Sequence, residues 1–262
     1  TTMGRLTDIG NRLGTDKAEH HMFTDFYDDY FSPFLAPNIL EIGILDGASL
    51  KMYHEFFNGK AKIFGVDSND KSVYFNNHPT IRALQGDILL NSTIEKCKKA
   101  VPEKYDIIID DGGHTMEQQQ KTLLSLWDHL KPGGLYIVED LHTSGMIDFN
   151  PDRTTSTLNI LQGLQKDEYL DSKYLTTEDL KKLNSEIHDL IIWDNSKPQE
   201  GPHAGRMSIT SILFKKLEGA ETKTEASSTE SKEEKPKVEE NTVEEKQTQS
   251  PTTLSEVSKK EE

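Results

Sequence analysis

Apolar positions along the chain fall into short continuous runs separated by stretches where they recur every three or four residues. That is the pattern of buried parallel strands alternating with amphipathic helices. The runs are NILEIGI at 38–44, AKIFGVD at 61–67, TIRALQGD at 80–87, YDIIID at 105–110 and GGLYIV at 133–138. A helix carrying Leu50, Tyr53, Phe56 and Phe57 follows the first run, and one over 91–100 follows the third. A third helix, over 116–130, follows the fourth run and closes in a Lys131-Pro132-Gly133-Gly134 turn. Further helices are predicted over 156–170 and 177–187. Strands at 188–193 and 208–214, flanking a polar loop rich in Gly and Pro, predict a terminal hairpin. The fold class is therefore α/β: a doubly wound, Rossmann-like parallel sheet ending in an antiparallel hairpin.

Open α/β sheets bind ligands beyond the carboxyl ends of their strands, and there this chain places its acids. The fourth and fifth runs continue into Asp110-Asp111-Gly112-Gly113-His114 and Glu139-Asp140-Leu141-His142. Neighbouring strands lie about 4.8 Å apart, so Asp110, Asp111, Glu139 and Asp140 could converge. Burying such a group without a cation is costly, and hard oxygen donors suit Mg²⁺ or Mn²⁺. Nothing in the sequence resembles a zinc site. If the pleat persists, Asp110 faces away from Asp111 and either ligates, caps or supports the ligands from behind; it is kept out of the metal set and grouped with the cofactor residues.

The first strand-to-helix turn reads Glu41-Ile42-Gly43-Ile44-Leu45-Asp46-Gly47, with Gly43 and Gly47 where a backbone approaches a ligand before a helix begins. Alone this is a weak signal. Asp67, ending the next strand, is placed to hold ribose hydroxyls, and Asp87, ending the third, an adenine amino group. Together they point to an adenosine-containing ligand. A nicotinamide dinucleotide would call for a full G-x-G-x-x-G; with Glu41 ahead of Gly43 and no pyrophosphate to cradle, S-adenosylmethionine (AdoMet) fits better.

The composition adds boundaries. The chain has 262 residues, a formal net charge of −15 and one cysteine, Cys97. No internal disulfide can form, and Cys97 shares a helical apolar face with Ile94 and Val101, so buried filler and a reducing, cytoplasmic setting are expected. No apolar run approaches about 18 residues, so neither a membrane span nor a signal peptide is expected. The acidic balance lacks the basic footprint of a nucleic-acid partner. From 218 to 262 there is no aromatic residue, and 13 Glu stand against 7 Lys, the composition of a disordered acidic tail.

Five blocks carry a resemblance: LGTDKAEHHMFTDFYDDYF at 13–31, ILEIGILDGASLKMY at 39–53, IFGVD at 63–67, DDGGHTMEQQ at 110–119 and KPGGLYIVEDLHTS at 131–144. On these the chain resembles the metal-dependent class I AdoMet sugar O-methyltransferases of macrolide biosynthesis, the mycinamicin and tylosin type. The resemblance implies Asp111, Glu139 and Asp140 as metal ligands and His114 as catalytic base. It also implies a cofactor set that adds Ser49, Asp16 and Lys17 to Glu41, Gly43, Gly47, Asp67, Asp87 and Asp110. His21 and His142 face the substrate or back the ligands. The block at 13–31 departs from the family pattern at Ala18 and at Phe23, where a tyrosine hydroxyl is usual. Residues 1–35 would cap the active site, 36–217 form the AdoMet-binding domain with a lid over about 145–185, and 218–262 the tail. The acceptor would be a small molecule or glycan, as in polysaccharide or glycan biosynthesis, and a homo-oligomer is compatible with the sequence. The alternatives are a catechol-type O-methyltransferase, which usually ends its fifth strand in Asp-Asn, and a non-catalytic AdoMet- or nucleotide-binding module. A metal-dependent hydroxylase lacks a two-His-one-carboxylate motif here.

Overall fold

The computed structural model describes residues 4–197, 200 and 205–219. Three helices open the chain, α1 (Arg5–Leu13), α2 (Asp16–Glu19) and α3 (Phe23–Phe31). Strand and helix then alternate through β1 (Asn38–Ile42), α4 (Ala48–Phe56), β2 (Lys62–Asp67), β3 (Ile81–Gln85), α5 (Asn91–Ala100), β4 (Tyr105–Asp110), α6 (Met116–Leu126) and β5 (Leu130–Val138). Helices α7 (Thr157–Gln165) and α8 (Thr177–Ser185) precede β6 (Ile187–Asp194) and β7 (Ile209–Lys215). Among the described residues the sheet runs β3-β2-β1-β4-β5-β7-β6, parallel as far as β5, with β7 antiparallel to both β5 and β6.

The continuous apolar runs are explained by two-sided burial. Ile39, Ile63, Ile107, Ile109, Leu135 and Ile137 pack with α1, α3 and α4 on one face, while Leu40, Ile42, Phe64, Ile108, Tyr136 and Val138 pack with α5–α8 on the other. The pleat carries the same division past the strand ends. Glu41 pairs with Ile109 and Ile109 with Ile137, so Glu41, Asp111 and Glu139 share the face covered by the N-terminal helices, and Asp110 takes the opposite one.

Several expected boundaries move for physical reasons. β1 stops at Ile42 because Gly43 turns to φ 95°. The helix over 116–130 ends at Leu126 in a 3₁₀ turn, Trp127–His129. The Lys131–Gly134 segment is no separate turn: it joins β5 through a bulge, with the register shifting between Tyr105 and Ile107 and Gly133 at φ 78°. Of the segment 145–185 expected as a lid, Met146 and Phe149 reach the main cavity, whereas Ile160, Leu161, Leu164, Leu180 and Leu183 of α7 and α8 are buried against the sheet. Cys97 is fully buried, as expected. Among the described residues no helix is long and apolar enough to cross a membrane. The acidic segment from 220 onward lies outside the described residues.

Candidate active site

The carboxyl edge of β1, β4 and β5 gathers buried acids around one cation. Lys17, 1% exposed on α2, places Nζ 2.5 Å from Glu139 Oε2, 2.7 Å from Asp111 Oδ2 and 3.2 Å from Glu41 Oε1. Burial alone would lower its pKa, but Asp111, Glu139 and Glu41 outweigh burial and hold the ammonium protonated well above its ordinary range. Two tyrosines complete the arrangement: Tyr27 donates to Glu139 Oε1 at 2.8 Å and Tyr53 to Glu41 Oε1 at 3.0 Å. The acids respond unequally. Burial raises Glu139 well above the usual carboxylate range and Glu41 to about 7, in both cases against the pull of Lys17. Burial pushes Asp111 up as well, but the ammonium, a hydrogen bond from Asp140 and the nearby His114 together hold the group low.

Toward solvent, Asp111, His114 and Asp140 each offer a ligand atom within 4.8 Å of the others. His114 Nε2 lies 3.4 Å from Asp140 Oδ2. Asp140 Oδ1 is buried without a hydrogen-bond partner among the described residues, and burial followed by the neighbouring charge of Asp111 raises Asp140 to about 8. A buried, unpaired carboxylate oxygen beside a second carboxylate is a site that a divalent cation satisfies, and oxygen donors suit Mg²⁺ or Mn²⁺. His114 and Asp140 hold left-handed backbones, φ 64° and 55°, a conformation costing about 1–3 kcal/mol for residues other than glycine. The Thr143 hydroxyl fixes both, lying 2.9 Å from the carbonyl oxygen of each. Behind His114, Thr115 and Gln118 form a capping box that starts α6. Burial, partly offset by Asp111, lowers the pKa of His114, so its imidazole is neutral at pH 7.

The acids open into a cavity of about 730 Å³. Gly43, Asp67 and Asp87 line one end; Asp111, His114, Asp140, His142 and Phe149 line the other. Gly43 is obligatory there, because a Cβ would fall 2.1 Å from the Asp111 carbonyl oxygen. At Gly47, φ 84°, a Cβ would meet the Phe75 ring at 2.5 Å. Asp67 is held by two backbone amides, with Ile44 N donating to Oδ2 and Asn69 N to Oδ1, both at 2.9 Å. Asp87 Oδ1 accepts from Leu89 N at 3.0 Å. Each carboxylate retains acceptor capacity toward the cavity. Glu41 and Ser49 line a smaller adjoining pocket together with Asp16, which borders both; the Ser49 hydroxyl is 3.2 Å from that of Thr15.

Three expected site residues are placed differently from the rest. Lys17 and Glu139 are enclosed with each other and do not line the main cavity. Asp110, grouped with the cofactor, is absent from its lining: its Oδ1 accepts from Gly112 N at 3.1 Å, and burial raises its pKa to about 7. The opposite side of the pleat makes it a brace for the Gly112–Gly113 turn. His21 does line the cavity, its Nδ1 2.7 Å from Ser208 Oγ, its ring stacked on Phe23, and Nε2 3.9 Å from Asp140 Oδ1. Sequence reasoning passed over Tyr27 and Tyr53, whose spacing with Phe23, Phe31 and Phe56 reads as helix core. It also passed over Ser208, 187 residues from His21, for which no local signal exists.

Residues 40–141 match the family model described as a methyltransferase domain. A curated relative, the 8-demethyl-8-alpha-L-rhamnosyl tetracenomycin-C 2'-O-methyltransferase of Streptomyces olivaceus, is 33% identical over 148 residues, 53% of this chain and 38% of that protein. Mycinamicin VI 2''-O-methyltransferase of Micromonospora griseorubida is 32% identical over 149 residues, 53% of this chain and 36% of its own length. The chain thus spans well under half of the curated relatives it matches. Among solved structures, the MycE methyltransferase from the mycinamycin biosynthetic pathway, in complex with Mg, SAH and mycinamycin VI, aligns with a TM-score of 0.61 and 25% identity, covering 82% of this chain and 56% of that one. A Bacillus cereus O-methyltransferase in complex with SAH shares the fold at a TM-score of 0.50 and 14% identity, over 80% of this chain and 90% of that one. The sheet, with its terminal hairpin, is the class I methyltransferase fold.

At Gly43 an added Cβ would overlap main chain, the Asp111 carbonyl. Gly43→Ala adds left-handed strain to an overlap with backbone, and a loss of about 2–6 kcal/mol is expected. Chemical denaturation of the variant against wild type measures it; a loss under about 1 kcal/mol would show that the turn can relax.

Proposed function

We propose that the chain is an AdoMet-dependent, Mg²⁺-dependent O-methyltransferase acting on a hydroxyl of a sugar or glycosylated metabolite. One observation carries this reading: a single cavity joins a glycine turn and two strand-end aspartates to the Asp111–His114–Asp140 group. Relatives named for 2'-O- and 2''-O-methyl transfer to glycosylated natural products support the acceptor class. The fully buried Cys97 fits a reducing compartment.

In this reading Gly43 lets the cofactor approach the β1 turn, Asp67 takes ribose hydroxyls and Asp87 the adenine amino group. Glu41, Gly47, Ser49 and Asp16 form the neighbouring wall. Bound AdoMet would supply a methyl group on a sulfonium, a strong leaving group, which leaves deprotonation and positioning to the protein. A hydroxyl as weakly acidic as water, near 15.7, and an imidazole near 6.5 differ by about nine pKa units, or about 12 kcal/mol, too much for His114 alone. A divalent cation held by Asp111, Glu139 and Asp140 would supply the Lewis acidity that lowers this gap. His114, neutral and beside Asp140, receives the proton on Nε2, and the carboxylate then stabilises the imidazolium. His21 and His142 face the acceptor from the remaining walls.

Titration calorimetry with S-adenosylhomocysteine, Mg²⁺ present, is expected to show saturable binding that weakens at least about tenfold in Asp67→Ala. His114→Ala should keep that binding and lose about 10²–10⁴-fold in methyl transfer to a sugar hydroxyl. No binding by wild type would overturn the assignment; retained transfer in His114→Ala would remove the base.

Mg²⁺ binding should also depend on pH. Asp140 keeps its proton up to about 8, and cations bind the deprotonated carboxylate, so Mg²⁺ affinity is expected to rise as pH increases from 6 through 8 and then level off. The metal-free protein should behave oppositely. Asp140 at about 8, and Glu41 and Asp110 at about 7, lie above their ordinary values; their stabilising contribution is complete below about pH 4 and lost as pH rises toward 8. Thermal unfolding at pH 5.5 and 8.5, with and without Mg²⁺, tests both signs; a Mg²⁺-induced stabilisation that shrinks with pH would contradict them.

A further inference from the structure

Lys17 and the proposed metal draw on the same carboxylates. The ammonium holds Asp111 Oδ2 at 2.7 Å and Glu139 Oε2 at 2.5 Å. The second oxygen of Glu139 is taken by Tyr27, whose hydroxyl in turn lies 2.7 Å from Thr210 Oγ1. Glu139 is thereby clamped from both sides and 1% exposed, and the group of ligand atoms within 4.8 Å comprises Asp111, His114 and Asp140 without it. Asp111 is the joint, bound to the ammonium and a member of the outer group.

We infer that Lys17 is an internal counter-ion that competes with the divalent cation, a latch which keeps Glu139 from the metal until the ammonium yields. This rests on the metal-dependent reading above and deepens it. A buried ammonium and a divalent cation a few ångströms from it repel strongly. The cation can recruit Glu139 only as the Lys17 contact lengthens, and linkage makes the effect mutual: the contact weakens the metal, and the metal weakens the contact. The consequence extends along the chain. Lys17 sits on α2, between Asp16 and His21, both of which line the cavity. Metal loading therefore loosens the segment that forms one wall of the site, and an empty metal site holds that wall closed on the sheet.

The test is Mn²⁺ binding, measured by calorimetry and by electron paramagnetic resonance, on wild type, Lys17→Met and Lys17→Arg, with S-adenosylhomocysteine binding measured on each. Lys17→Met should bind Mn²⁺ at least about tenfold more tightly than wild type, since one competing positive charge is gone. Lys17→Arg, which keeps the charge, should stay within about threefold of wild type. Equal or weaker Mn²⁺ binding in Lys17→Met that still binds S-adenosylhomocysteine overturns the latch and leaves the methyltransferase reading intact. Mn²⁺ bound by none of the three proteins overturns the metal reading and the latch with it. If Lys17→Met does not fold, wild type decides: acetic anhydride labelling of Lys17, read by peptide mass spectrometry, should rise at least about fivefold on saturation with Mn²⁺ as the amine leaves its carboxylates. Unchanged labelling overturns the proposal.

Discussion

A single buried ammonium allows three carboxylates to stand together at the carboxyl edge of this sheet. Isolated, a buried carboxylate costs several kcal/mol even after relaxation, and adjacent ones repel. Parallel pairing places Glu41, Asp111 and Glu139 on one face, where Lys17 reaches all three and offsets part of that penalty, enough to hold Asp111 low while burial still raises Glu41 and Glu139. The sheet dictates where the acids meet, and the N-terminal helices supply the charge that makes the meeting tolerable. This couples parts of the chain 122 residues apart. It also gives the N-terminal segment a role beyond covering the apolar face of β1, β4 and β5.

The remaining electrostatics follow from burial and from which charges lie nearest. Asp111, in direct contact with the ammonium, is held low, while Asp140, farther out and beside Asp111, is held high. Two neighbouring acids thus have opposite tendencies at one pH. In the proposed metal site such a pair would offer one anionic ligand and one that exchanges a proton for the cation, tying metal affinity to pH. His114, made less basic by burial, remains neutral between them.

How much of this was legible in the sequence depended on whether the signal was local. Two-sided burial turns the central parallel strands into continuous apolar runs, so these and most helices could be read directly, as could the acids at the strand ends. The parity of the pleat, which separates Asp110 from Asp111, was also available. Boundaries were less so: the Lys131–Gly134 segment contains the usual turn residues, and only the neighbouring β4 register shows that they form a bulge within β5. Contacts across long separations were the least accessible. Tyr27 and Tyr53 occupy positions of apolar helix faces, where a ring packs whether or not its hydroxyl has a task. Lys17 reads as a cofactor residue in a polar block until the fold brings Glu139 to it.

The left-handed backbones at His114 and Asp140 show why the reacting edge could not be built from strands alone. An extended chain continuing past Asp110 or Glu139 would send alternate side chains to opposite faces, leaving the imidazole and the carboxylate apart. Turning sharply at both residues brings His114 Nε2 to within 3.4 Å of Asp140 Oδ2. The strain is held locally by Thr143, whose hydroxyl meets both carbonyls, and by the capping box that begins α6 one residue later. Glycine at either position would adopt the turn more easily but would remove the functional group. The chain accepts about 1–3 kcal/mol of strain at each, because the imidazole and the carboxylate that meet there must be carried by those two residues.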